Sequence, residues 1–100
     1  MTDTFVALSD PTRRTLLDRL SEHGGMTLTE LGQGLPMTRQ AVAKHLAVLE
    51  AAELVASRRD GRCKRHYLNP LPLAKMARRW LGRFEEVPIG AAAGYALTAH

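Results

Sequence analysis

One cysteine, Cys63, stands among the 100 residues, so no disulfide can close within the chain. That usage suits a reducing compartment. No apolar run approaches the roughly 18 residues that a membrane helix requires. The opening residues 1–11 are acidic and short of apolar length, which is not the pattern of a secretory signal. A cytoplasmic protein without a membrane partner is therefore expected. Nor is there a glycine-rich loop of the kind that cradles phosphates. The four histidines, His23, His45, His66 and His100, are scattered over separate segments. A hydrolase or transferase needs a nucleophile, a base and an orienting group held together, so neither catalysis nor a cofactor is expected. Positive charge is in better supply. Lys and Arg number 14 against 10 Asp and Glu, giving a net charge of +4 and an anionic partner as the natural expectation. With 45% apolar and 24% charged residues, the chain has ordinary globular composition and the length of one small domain.

Residues 27–50 carry the densest pattern. Thr27 followed three residues later by Glu30 is a capping box, which satisfies amide groups that a helix start leaves orphaned. Leu28, Leu31 and Leu35 supply an apolar stripe, and Gly34-Leu35-Pro36 breaks the helix. Thr38 is the expected cap of a second helix that runs to about Glu53. On it Val42, Leu46 and Leu49 recur at i, i+4 and i+7 and form the side to be buried. The opposite side centres on Gln40 and Lys44, with Ala43 and Ala47 beside them and Thr38 and Arg39 at the N-terminal end. Long polar groups flanked by small ones are what a DNA-reading helix requires, because its backbone must approach the groove closely. Taken alone, the same pattern also fits an ordinary amphipathic hairpin of helices.

Around this pair the rest of the chain falls into place. A short helix over residues 3–8 has Phe5, Val6 and Leu8 to bury. Asp10 then caps a helix with Pro11 at its first position and Leu16, Leu17 and Leu20 on its core face. Arg13 and Arg14 are expected on a solvated face, and His23-Gly24-Gly25 closes that helix. Beyond the reading pair, residues 54–59 form a strand, Asp60-Gly61 is a two-residue hairpin signal, and residues 63–68 return. Arg58, Arg59, Arg62, Lys64 and Arg65 crowd onto this ribbon against a single acid, Asp60. Such repulsion is relieved by a nearby anion, and the sugar-phosphate backbone is within reach of a ribbon that flanks a reading helix. Basic residues on edge strands also guard against aggregation.

After Asn69-Pro70-Leu71-Pro72, one helical stripe collects Leu73, Met76, Ala77, Trp80, Leu81, Phe84 and Val87. So small a domain has little room for all of it, which points to a second copy as the partner of this face. Residues 88–100 are expected to be a flexible or weakly helical tail. The whole reads as a mostly α chain with a small β-hairpin wing, a winged helix-turn-helix over residues 1–87 whose last helix pairs two copies.

These residues resemble the ArsR family of transcriptional regulators. The similarity rests on Leu8-Ser9-Asp10-Pro11-Thr12-Arg13, on residues 28–35, on residues 38–46 with Leu49, and on the basic wing through Tyr67. It implies a homodimeric repressor of palindromic double-stranded DNA, with the first and last helices at the dimer interface. That interface would take Phe5, Leu8, Leu73, Met76, Ala77, Trp80, Leu81 and Phe84. Thr38, Arg39, Gln40, Ala43 and Lys44 would read bases, with the five wing cations and His45 toward the backbone, His45 alternatively packing. Metal-sensing members carry cysteines in the first motif helix, or Asp and His pairs on the last. Residues 30–35 and 73–87 here hold no such residue. Cys63 and His66, three apart on a strand, point to opposite faces. No metal site is therefore expected. Oxidation of Cys63, an unknown inducing ligand, or use of the last helix to dock another protein are the alternatives this reading leaves.

Overall fold

The computed structural model describes residues 3–83. The expected continuation of the last helix through Phe84 and Val87, and the tail 88–100, lie outside the described residues. Five helices and one hairpin follow in order: α1 (Thr4–Leu8), α2 (Pro11–Glu22), α3 (Leu28–Gly32), α4 (Arg39–Ala51), β1 (Val55–Asp60), β2 (Cys63–Leu68) and α5 (Leu71–Gly82). This is the winged helix-turn-helix architecture that the sequence pattern leads one to expect.

Side chains start four of the five helices. Asp3 accepts from the Phe5 amide at 2.7 Å, Asp10 from the Arg13 amide at 3.1 Å, and Thr38 from the Ala41 amide at 3.1 Å. At α3 the capping box is complete. Thr27 N–H donates to Glu30 Oε1 at 2.8 Å, and Glu30 N–H to Thr27 Oγ1 at 3.3 Å. Each cap meets a donor that the helix start leaves open.

The core is the seam between α2, α3 and α4. Leu16, Leu17 and Leu20 meet Leu31, Val42, Leu46 and Leu49, and all are buried. Each such side chain contributes about 2 kcal/mol of transfer free energy. A Cβ on Gly32 would stand 3.1 Å from Val42 Cγ2, so the bare glycine lets α3 lie close on α4. Ala52, Leu54 and Val55 extend the core toward the wing.

Several expectations need correction. In α1 the buried residue is Ala7, with Leu8 half-buried. Phe5 and Val6 are exposed, because five residues expose only one narrow side to α2. α3 spans only Leu28–Gly32, so Leu35 packs on the core from the connecting loop. α4 stops at Ala51, before Glu53. There the Leu54 amide reaches back to the Leu49 carbonyl at 2.9 Å while Glu53 adopts φ 61°. This six-to-one closure ends a helix with a left-handed residue, a place usually given to glycine. Asn69 then secures the turn, donating from Nδ2 to the Glu53 carbonyl and from its amide to Leu54. In the hairpin Asp60 pairs with Cys63, which makes Gly61-Arg62 the two-residue loop, one position later than the Asp60-Gly61 signal. Gly61 takes φ 62° there, as a primed turn requires. A bridge from Met26 to His66 adds one residue of a third strand beside β2.

Two tests follow from these turns. Relieving the left-handed glutamate by Glu53→Gly should stabilise the fold by up to about 1 kcal/mol, read as a higher urea midpoint at unchanged slope. A lower midpoint would mean that the Glu53 side chain contributes more than its backbone strain costs. The second concerns acid. Backbone amide donation from Arg13 holds the Asp10 carboxyl below the ordinary carboxylate value, and amide donation from Thr27 does the same for Glu30. A folded-state value below the unfolded one contributes stability above about pH 4 that is lost as pH falls through the folded value. Urea unfolding at pH 7 and pH 3 should therefore show a smaller loss for Asp10→Asn/Glu30→Gln than for the unaltered chain. Equal losses would contradict the assignment.

Candidate nucleic-acid interface

Because Val42, Leu46 and Leu49 turn inward, α4 shows Arg39, Gln40, Lys44 and Ala47 to the outside, with its cap Thr38 also exposed and Ala43 half-buried. Beside this flank runs an open groove of about 450 Å³. Residues 27–29 at the start of α3 border it on one side and the wing on the other. It gathers Arg39 and Ala43 of α4 with Arg59, Arg62 and Lys64 of the hairpin, over a floor of Leu46 and His66. Gln40 and Lys44 do not line the groove and stand on the ridge next to it.

The wing's charges fall into two groups. The ladder places Arg58 opposite Arg65 and Arg59 opposite Lys64, two like-charge pairings that disfavour the ribbon. Acids relieve only part of this. Asp60 accepts from Arg65 Nε at 2.8 Å, which holds that guanidinium more firmly in its charged form, and Arg65 also donates to the Gly25 carbonyl at 2.9 Å. Lys64 Nζ lies 3.7 Å from Glu50 Oε1. Arg39, Arg58, Arg59 and Arg62 have no acid partner among the described residues.

Two groups in this region escape a reading of patterns along the chain. Glu50, near the end of α4, borders the groove and faces both Lys64 and His66. His66 is buried, with Nδ1 3.0 Å from the Met26 carbonyl. A carbonyl only accepts, so Nδ1 carries the proton and Nε2 is turned to Glu50 at 3.7 Å. Alternation along β2 signals that one of each pair of neighbours points inward; which one was not legible without the Met26 bridge. Cys63 is exposed at the hairpin tip. Among the described residues no three His, Cys, Asp or Glu side chains stand close enough to hold one metal ion.

Of the α2 arginines, Arg14 is exposed as expected, while Arg13 and Arg19 are half-buried, and all three bond to main-chain carbonyls. Arg13 and Arg14 donate to the carbonyls of Val6, Ala7 and Leu8 at the end of α1, and Arg19 to those of Leu31 and Gln33 at the end of α3. His45 is half-buried, its Nδ1 3.3 Å from Arg13 and 3.8 Å from Asp10, so it is engaged on α2.

On the far side, α1 and α5 share an apolar face. The Phe5 and Trp80 rings meet edge to face at 6.0 Å, and the Arg83 guanidinium lies 6.0 Å from the Trp80 ring centre. Phe5, Val6, Leu71, Trp80 and Leu81 are all about half or more exposed. Leu8 and Leu73 instead pack on the chain's own core. Met76 is half-buried and Ala77 exposed. Among the described residues no helix is long and apolar enough to cross a membrane.

Known proteins resemble this chain in sequence and in fold. A family described as a helix-turn-helix domain matches residues 8–58. The chain is 46% identical to the helix-turn-helix-type transcriptional regulator YuzN of Bacillus subtilis, over 77% of this chain and 90% of that one. It is 35% identical to the transcriptional repressor SdpR of the same organism, over 69% and 76%. The solved ArsR-like transcriptional regulator from Rhodococcus sp. RHA1 superimposes with a TM-score of 0.67 at 39% identity, covering 95% of this chain and 83% of its own.

Proposed function

The chain belongs to the ArsR family of winged helix-turn-helix, DNA-binding transcriptional regulators, and from that premise we propose that it is a homodimeric repressor of a palindromic operator. One observation carries this reading: the exposed Gln40 and Lys44 flank of α4 runs alongside a groove rimmed by arginines that have no acid partner among the described residues. Thr38, Arg39, Gln40 and Lys44 approach base edges in the major groove, and the small Ala43 lets the backbone come near. Gln pairs with adenine through two bonds, Arg or Lys with guanine. Arg58, Arg59, Arg62, Lys64 and Arg65 hold the wing against phosphates, a role that is independent of sequence. The kinship with a named repressor supports repression as the outcome of binding.

Dimerisation rests on the α1 and α5 face. Phe5, Val6 and Leu81 are more than half exposed along this face, and contiguous exposed apolar surface marks a protein interaction site. A two-fold axis there would present two reading helices about one DNA turn apart, the spacing a palindrome demands.

Lys44→Ala should weaken binding to a site selected from random duplexes by about tenfold or more, while affinity for unselected DNA changes little. Equal losses on both would remove Lys44 from base reading. Neutralising Arg59 and Arg62 should do the reverse. Affinity should fall on every sequence, and the salt dependence should flatten by about 0.9 in slope for each phosphate no longer neutralised.

Light scattering of the free protein should give twice the mass of one chain, and Trp80→Glu/Leu81→Glu should give a folded monomer. A monomeric parent protein would refute the dimer.

A further inference from the structure

We propose that Arg13 is a positioning residue for base reading, which locks the azimuth of α4 by joining His45 to the carbonyl end of α1. The inference rests on the reading of α4 as the helix that contacts bases. Three nitrogens of one guanidinium are occupied. Nε donates to the Ala7 carbonyl at 2.8 Å, one terminal nitrogen to the Val6 carbonyl at 3.0 Å, and the other meets His45 Nδ1 at 3.3 Å. Arginine cannot accept, so His45 Nδ1 must, and its ring proton sits on Nε2. At His66, by contrast, a proton sits on Nδ1. The Arg13 main chain is itself fixed, because its amide donates to Asp10 Oδ2 at 3.1 Å.

The apolar side of α4 sets that azimuth only coarsely. Val42, Leu46 and Leu49 hold the helix against α2 and α3, but apolar burial has no direction and tolerates small rotations. A planar fork spanning two carbonyls and a ring nitrogen does not. His45 follows Lys44 directly, so a rotation that breaks its bond to Arg13 swings Lys44 and Gln40 along with it. The other end of the fork grips α1, whose Phe5 and Val6 lie on the face assigned to the second copy. Arg13 thus stands between the helix that meets the partner and the helix that meets DNA, and it would carry a shift of one to the other.

The test uses the full chain with Arg13→Gln, His45→Phe and the double variant. His45→Phe leaves both α1 carbonyls bonded and removes only the ring acceptor, so it isolates the link from any folding defect of Arg13→Gln. Two quantities are read. The first is the ratio of affinities for a selected duplex and a random one. The second is the His45 tautomer, from nitrogen-15 NMR of the imidazoles. Each single variant should lower the ratio about tenfold at nearly unchanged affinity for random DNA, and the double variant should lower it no further. In the unaltered chain Nδ1 of His45 should be unprotonated, and Arg13→Gln should shift that signal. An unchanged ratio in His45→Phe, single losses that multiply in the double variant, or a protonated Nδ1 in the unaltered chain would each overturn the positioning role. Equal affinity of the unaltered chain for both duplexes would instead overturn base reading itself, and would leave the NMR signature to stand.

Discussion

The burial of one side of α4 governs everything on its other side. Val42, Leu46 and Leu49 are almost wholly enclosed, and a helix encloses all three against α2 and α3 only near one azimuth, which the Arg13–His45 contact then narrows. That azimuth turns Gln40 and Lys44 out. Exposure of the Gln40 and Lys44 flank is thus a consequence of core formation, at no separate cost in packing. The left-handed closure at Glu53 adds the next constraint. By ending α4 at Ala51 and folding Leu54 back onto Leu49, it sets where β1 departs, and so where the wing stands beside the helix.

The wing has the opposite character, being stable in spite of its charge. Two like-charge pairs face each other across the ladder, and exposed ion pairs such as Lys64 with Glu50 return little. What holds the ribbon is its base. Val55 and His66 are buried, His66 bridges to Met26, and Arg65 reaches the Gly25 carbonyl. The unrelieved charge lies toward the tip, where the hairpin has least to hold it. Such an arrangement gains most when an anion arrives, and the acid Glu50 in the groove keeps the cationic surface from being uniform.

The sequence was informative where periodicity and capping act locally. The Thr27–Glu30 box, the Asp10 and Thr38 caps and the three-residue stripe of α4 are all properties of neighbours within one or two turns. They were legible for that reason, and the exposed flank followed from the stripe. Features that depend on distant partners were not. That Ala7 is buried while Phe5 and Val6 are exposed reflects how α1 lies on α2 and α5, which no spacing within residues 4–8 encodes. The shift of the hairpin loop to Gly61-Arg62 is similar, since Asp-Gly is a loop signal in its own right and only the register with Cys63 displaces it. His66 looked like any alternate residue of a strand until Met26 supplied its acceptor 40 positions away.

The arginines make the same distinction in chemical terms. Counting charge along the chain treats Arg13, Arg14 and Arg19 as equal to Arg58, Arg59 and Arg62. They differ in what lies within reach. α1 and α3 are each five residues long, so most of their carbonyls lack a partner within the helix. A guanidinium, with several donors and no acceptor, suits that deficit better than water does at a half-buried junction. The three arginines of α2 are drawn to those carbonyl ends, and the half-buried Arg13 and Arg19 have most of their donors taken there. In the wing the ladder takes the strands' own carbonyls; Arg65, near the base, reaches the Gly25 carbonyl, and Arg58, Arg59 and Arg62 bond to no carbonyl or acid among the described residues. Whether a cation in this fold is architecture or interface is therefore decided by the nearest unfilled acceptor.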